Sequence, residues 1–243
     1  MADAVPSSEG LDLSALAWEG EETALIDLKK MLEDKKIDFT AATYGFGGQE
    51  IYLRKFLRAR QLDPVKALLM IENNVKWREE NKVDTCWDRL LENEKRETIA
   101  KLYWAYYCGH DRMGNWIYLE HTAAINFEGL FATCELPDLL HAHIQLQEYQ
   151  TKVRYGIASA RKSEVRARTT NIMDMRGLSM SMLTSTIKDL ISKISTVNQD
   201  NYPEGLYQCF IVNAPWAFTM IYAFVKPFLN EHTQNKVKVR AFP

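Results

Sequence analysis

An α/β fold, with a helical N-terminal unit followed by a mostly parallel sheet with crossover helices, is what the 243-residue sequence predicts. Three observations carry that expectation. Helical periodicity fills roughly the first hundred residues. After them, short β-branched and aromatic runs alternate with longer helical stretches, which implies parallel pairing through crossover helices. Finally, one late segment, 215–229, reads as a helix with almost no polar face.

Residues 1–20 are acidic, small and poorly patterned, and read as a flexible lead-in. From Glu21 to Lys36 the pattern is helical, with Leu25, Leu28, Met31 and Leu32 on one face. Residues 44–48 form a turn-rich, glycine-rich loop without the preceding strand that a phosphate-cradling motif needs. A helix follows over 49–60. Asp63 then caps another, with Pro64 at the first helical position, where a missing N–H costs nothing. Val65, Leu68, Ile71 and Val75 are expected on its buried side as far as Asn81. A further helix near 87–99 closes the helical unit.

The second half changes period. Residues 103–108 and 116–120 read as strands joined by a polar turn at Gly114. A long helix is expected over 136–158, with Leu136, Leu139, His143, Leu146, Val153 and Ile157 on one stripe. Strand 170–175, a helix carrying Leu183, Ile187, Leu190, Ile194 and Val197, and strand 207–212 come next. The nearly nonpolar helix follows, and 237–239 begins a last strand.

A helix in a water-soluble fold normally keeps a solvated side. Here Trp216, Phe218, Met220, Ile221, Tyr222, Phe224, Val225, Phe228 and Leu229 point in every direction. The segment is too short for a bilayer, which needs about 20 apolar residues. It is either a buried core helix or a lid that meets a second apolar medium.

Composition narrows the rest. A hydrophobic fraction of 47% supports a core, and a formal net charge of −2 argues against nucleic-acid binding. The start carries no signal-peptide pattern, and four scattered cysteines suit reduced thiols better than disulfides or zinc. His141 and His143, two apart on a helix, face different ways, so His143 reads as a satisfied core histidine and no metal site is expected. Asp174 ends a strand, where α/β folds often place functional groups. The basic group Lys152, Arg154, Arg161, Lys162, Arg166 and Arg168 reads as a solvated helix end or as a contact for anionic membrane, at about 1 kcal/mol per residue. No nucleophile elbow and no nucleophile–base pair is present, so no enzyme is expected and no catalytic residue is assigned.

The run Phe56-Leu57-Arg58-Ala59-Arg60, then Asp63 and Lys76-Trp77-Arg78, resembles the N-terminal signature of the CRAL-TRIO, or Sec14-like, lipid-transfer family. Asp111, Gly114 and Tyr118 are similar to its early hairpin, and residues 172–179 to its strand of hydrophobic residues, aspartate, base and glycine. Asn201-Tyr202-Pro203-Glu204, Val212-Asn213-Ala214-Pro215-Trp216 and Lys226-Pro227-Phe228-Leu229 resemble the segments around its gating helix. The resemblance covers about residues 21–239.

That resemblance implies a helical unit over 21–100 and a lipid-binding domain over 101–243, its sheet and crossover helices built around a lipid cavity. Where the family's last strand runs on into further helix, this chain stops at Pro243, so a C-terminally shortened domain, a splice form or fragment, is implied. By position, an inositol phosphate would meet Arg60, Glu204 and Lys236, a charged set suited to a phosphate and its hydroxyls. A choline headgroup would meet Tyr107, Tyr118, Tyr149 and Thr169, with Asn171 where a threonine is usual; aromatic faces suit a quaternary ammonium. Trp216, Phe218, Ile221, Phe224, Val225 and Phe228 would form the gate.

The implied activity is carriage of phosphatidylinositol, with phosphatidylcholine as a second ligand, and no cofactor. A cytoplasmic monomer touching membranes transiently, at the Golgi or endosomes, and presenting lipid to a lipid kinase completes that expectation. Two alternatives stay open: a carrier of an apolar tocopherol- or retinoid-like ligand, and a lipid-sensing interaction module.

Overall fold

The structure, a computed structural model, describes residues 18–43, 48–155 and 168–241. The turn-rich loop at 44–47, the lead-in up to residue 17, the last turn expected of the 136–158 helix, and Arg161, Lys162 and Arg166 lie outside the described residues. The chain divides into two compact units. The first comprises the described residues within Met1–Asp88, Gln145–Ala167 and Asp200–Glu204; the second those within Arg89–Ile144, Arg168–Gln199 and Gly205–Pro243.

In the first unit, α1 (Glu21–Lys35), the single turn α2 (Thr40–Thr43), α3 (Gly48–Ala59) and α4 (Pro64–Glu80) pack around Leu25, Leu28, Leu53, Phe56, Leu57 and Ile71, each at most 2% exposed. The Asp63 carboxylate accepts from the Val65 and Lys66 N–H groups at 3.0 Å, the N-cap expected before Pro64. Val65 itself is 61% exposed, contrary to the sequence expectation. The buried side of α4 runs instead through Ala67, Leu68, Met70, Ile71, Asn74 and Arg78, because polar members join the stripe once they are paired.

Arg78 forks onto Glu148, both bonds at 2.9 Å, and also binds Asp84. Tyr202 Oη donates to Glu148 at 2.7 Å, and Lys152 lies 3.0 Å away. Burial would disfavour the Glu148 carboxylate, but Arg78 and Lys152 hold it below the ordinary range. In the same unit, Glu21 is fully buried and receives Arg58 Nε at 2.6 Å, with Arg54 Nη1 in ion-pair contact at 3.2 Å.

The second unit holds one five-stranded sheet, ordered β1-β2-β3-β4-β5. Its strands are β1 (Ala105–His110), β2 (Trp116–His121), β3 (Thr169–Asp174), β4 (Leu206–Ala214) and β5 (Val237–Ala241). β1 and β2 form an antiparallel hairpin through Gly114 (φ +87°), and every later pairing is parallel. The mixed α/β fold with a mostly parallel sheet is therefore as expected.

The helices of this unit are α5 (Asn93–Leu102), α6 (Phe127–Thr133), α7 (Leu136–Tyr149, its residues from Gln145 counted with the first unit), α8 (Ser185–Asn201, its last two residues counted with the first unit), α9 (Trp216–Val225) and α10 (Glu231–Asn235). Three expectations are corrected. The helix placed at 87–99 begins only at Asn93, after a turn that leaves Trp87 44% exposed. The 136–158 helix changes after Tyr149 into one wider, π-type turn over Gln150–Arg154. The 215–229 helix stops at Val225 and tightens into a 3₁₀ turn at Lys226–Phe228, because Pro227 has no N–H to continue the ladder. α6 was not anticipated at all.

His143 is the satisfied core histidine: its Nε2 meets Asn198 Oδ1 at 2.7 Å, and burial holds the imidazole below its ordinary value. All four cysteines are free thiols, with Cys108 exposed and the others buried. Among the described residues, no helix is long and apolar enough to cross a membrane.

Candidate functional site

One face of the sheet is set by alternation along the strands and by cross-strand register. Tyr107, Tyr118, Asn171, Cys209 and Val237 form one row across all five strands. Ala105, Glu120, Met173, Ile211 and Val239 form the next. Side chains two apart on a strand share a face, so both rows look the same way.

α9 covers part of that face. Phe218, 8% exposed, joins Cys209, Ile211 and Met175 in a core, with Met173, Ile221, Tyr222 and Val237 packed on it. Phe218 and Tyr222 stack at 5.4 Å. The outer side of the same helix is open to solvent, with Trp216 80% and Met220 58% exposed. The alternative of a fully buried core helix is thus overturned: apolar side chains point outward as well as inward.

Polar side chains hold both ends of α9. At its start, Asn213 adopts a left-handed backbone (φ +53°) and donates from Nδ2 to Asp174 Oδ1 at 2.9 Å. The Arg176 N–H donates to the same oxygen at 2.9 Å. Burial pushes the Asp174 carboxyl up, but these donors outweigh it and hold the group below its usual range. At the far end, the Gln199 amide donates to the Phe228 carbonyl and accepts from the Asn230 N–H at 3.2 Å. Gln234 Nε2 donates to the Leu229 carbonyl at 2.7 Å and to that of Lys226 at 3.2 Å.

The same sheet face carries a buried polar island. The Glu120 carboxyl accepts from Thr122 Oγ1 at 2.9 Å, Tyr118 Oη at 3.2 Å and Tyr103 Oη at 3.4 Å. Burial pushes this carboxyl above its ordinary 4.5 against the pull of those hydroxyls. Burial likewise pushes the Cys209 thiol up to about 12, with the Glu120 charge adding to it. Toward β1 the bed is aromatic: Tyr107 lies 5.2 Å from Tyr118 and 6.2 Å from Trp116, and His110 lies 4.1 Å from Trp116. Asn171 Oδ1 is buried with no hydrogen-bond partner.

The expected site residues separate as follows. Tyr107, Tyr118, Thr169 and Asn171 share this face of the second unit, whereas Tyr149 belongs to the first. There Tyr149 meets Trp87 edge-on at 6.3 Å and the Arg154 guanidinium at 4.6 Å. Arg60 and Glu204 belong to the first unit and Lys236 to the second. All three are half-buried. Arg60 follows α3 with its Nη1 on the Ala59 carbonyl at 3.2 Å, Glu204 takes a left-handed backbone (φ +55°), and the Lys236 carbonyl accepts from the Cys209 N–H. Of the gate residues, Phe218 is buried, Ile221, Phe224, Val225 and Phe228 are half-buried, and Trp216 is exposed.

Sequence reasoning missed Glu120, Gln199 and Gln234. Period two from Trp116 and Tyr118 would have put Glu120 on the covered face. The two glutamines carried no signal, since their role exists only once the loop after α9 is in place.

A family model described as the CRAL/TRIO domain matches residues 100–241. The chain is 32% identical over 218 residues to the SEC14 cytosolic factor of Eremothecium gossypii, covering 89% of this chain and 67% of that protein. It is 33% identical over 186 residues to the phosphatidylinositol/phosphatidylcholine transfer protein SFH9 of Arabidopsis thaliana, covering 76% of this chain and 32% of that one. The chain thus spans about two thirds of the first relative and about one third of the second. Among solved structures, that of Sfh5 matches with a TM-score of 0.67 at 19% identity, covering 91% of this chain and 80% of that one; at such identity the likeness establishes the fold.

Proposed function

We propose, for a chain that belongs to the CRAL/TRIO domain family, that the second unit binds a phospholipid on the sheet face beneath α9 and passes it between membranes. The observation that carries the reading is α9 itself: apolar toward the sheet at Phe218, Ile221 and Tyr222, and apolar toward solvent at Trp216 and Met220. Such a helix can exchange contacts with its own sheet for contacts with lipid at little cost. A diacyl lipid presents on the order of 30 methylenes, and at about 0.8 kcal/mol each its passage through water is heavily disfavoured. A covered apolar bed removes that barrier. No bond is made or broken, and no cofactor takes part.

The polar clasps at Asn213 and at Gln199 and Gln234 anchor the two ends of α9, and in this reading those ends are the hinges about which the helix lifts as a lid. Phosphatidylinositol is the ligand we favour, its phosphate held by Arg60 and Lys236 and its hydroxyls by Glu204; the transfer-protein relative named above supports that choice. Tyr107, Tyr118, Tyr149, Thr169 and Asn171 form the second headgroup set, for choline. The protein acts as a monomer in the cytoplasm, with transient contact at Golgi or endosomal membranes and a lipid kinase as recipient.

Mass spectrometry of the organic extract from purified protein identifies the carried molecule directly. A phospholipid supports the reading, a tocopherol- or retinoid-like molecule moves it to apolar carriage, and an empty extract favours an interaction module. Arg60→Ala and Lys236→Ala should each abolish phosphatidylinositol exchange between vesicles while the fold persists. Unaltered exchange would sink the headgroup assignment.

A further inference from the structure

We propose that Tyr202 is a positioning residue: through its bond to Glu148 it fixes the backbone that aims the Glu204 carboxylate at the hydroxyls of a polyol headgroup. The inference rests on the phosphatidylinositol reading above and concerns residues of the first unit alone.

Glu204 stands on a strained backbone. Its φ of +55° lies in the left-handed region, which disfavours any residue with a Cβ. The next residue, Gly205, could adopt that conformation without steric cost, yet the glutamate is the one that carries it. A residue so placed persists only where its surroundings over-determine it, and such positions gather at ligand clamps.

Here the surroundings form a buried frame that grips the residues leading up to Glu204. Asn74 Nδ2 donates to Asn201 Oδ1 at 3.0 Å, while Asn74 Oδ1 accepts from Tyr52 Oη at 2.7 Å. The Tyr202 ring meets Trp77 edge-on at 6.0 Å, and its hydroxyl donates to Glu148 at 2.7 Å. Arg78 holds both Glu148 oxygens at 2.9 Å, with Lys152 at 3.0 Å. Asn74, Glu148 and Asn201 are each at most 8% exposed. Pro203 is buried and its ring locks its own φ. Glu204 is the first residue beyond this frame.

A carboxylate held in one orientation can accept from neighbouring hydroxyls without first giving up the freedom of a loose side chain. Choline offers no hydroxyl, so its binding gains nothing from that orientation. Tyr202→Phe removes a single bond: the ring stays on Trp77, and Glu148 keeps Arg78 and Lys152.

The test measures vesicle-to-vesicle exchange of phosphatidylinositol and phosphatidylcholine by the parent, Tyr202→Phe, Glu204→Gln and the double variant. Tyr202→Phe should slow phosphatidylinositol exchange about ten-fold, the worth of one hydrogen bond to a charged group, and leave phosphatidylcholine exchange unchanged. In the Glu204→Gln background the same change should cost nothing further, because the carboxylate that it aims is gone. A residue that merely supports the fold would slow both lipids alike and add its full effect to that of Glu204→Gln; either result would overturn the proposal. A loss with Glu204→Gln but none with Tyr202→Phe would overturn it while leaving the headgroup reading intact. Unchanged phosphatidylinositol exchange by Glu204→Gln would bring down both. Trp77→Leu, which takes the half-buried indole off the Tyr202 ring, covers the case in which Tyr202→Phe does not fold, and the same split between the two lipids is expected.

Discussion

Replacing Gln199 by alanine should loosen the C-terminal end of α9 without unfolding the domain. The Gln199 amide makes two bonds to the segment after the helix, one to the Phe228 carbonyl and one from the Asn230 N–H. A net neutral hydrogen bond is worth about 1 kcal/mol. The Asn230 end is exposed and Phe228 only half-buried, so water can replace the lost partners and no further desolvation penalty arises. The change is then about 2 kcal/mol, or about 30-fold in the opening equilibrium. Gln234 still holds Lys226 and Leu229, so the helix keeps a second anchor. Hydrogen exchange read by mass spectrometry should show the Trp216–Val225 amides exchanging about 30-fold faster, with vesicle-to-vesicle lipid exchange rising in parallel. Should α9 exchange at the parent rate while the midpoint of global unfolding falls by the full amount, Gln199 would be a core contact and the clasp argument would fail.

Three other outcomes follow from the same structure. Phe218→Ala removes a buried ring stacked on Tyr222 and should destabilise the second unit by about 3 kcal/mol in urea titration, with dye binding revealing the uncovered sheet face. Glu120 has a carboxyl raised by burial, so its contribution is fully present below the ordinary 4.5 and declines as pH rises through the higher folded value. Glu120→Gln, whose amide N–H the Thr122 hydroxyl can accept, should remove that decline; a persisting slope in thermal melts across the same range would assign it elsewhere. Arg78→Leu strands Glu148, which is 1% exposed, with only Lys152 and Tyr202, and should cost about 3 kcal/mol in chemical denaturation.

Much of the fold could be read from local chemistry. Asp63-Pro64 marked the start of α4 because a cap and a missing N–H act within one turn. The alternation of strand and helix after Tyr103 marked parallel pairing, since parallel neighbours need crossovers. What failed depended on partners distant in the chain. Val65 looked like a core residue, yet the stripe of α4 passes through Asn74 and Arg78, which are buried only because Asn201 and Glu148 pair with them. The wider turn at Gln150–Arg154 left no mark in periodicity. For the site, apolar composition revealed α9 and family resemblance named Tyr118 and Asn171. The role of Glu120 became visible only when Tyr103 and Thr122 converged on it from outside its strand.

The sheet is laid down in chain order, each strand beside the one made just before it. A chain emerging from the ribosome can therefore assemble the sheet progressively, without holding an early strand in reserve for a late partner. A step exposed to error comes after β4. α9 is synthesised before β5, so for that interval a greasy helix and the bare flank of β4 coexist on a nascent chain. That interval, rather than the finished protein, is where a chaperone would have most to guard.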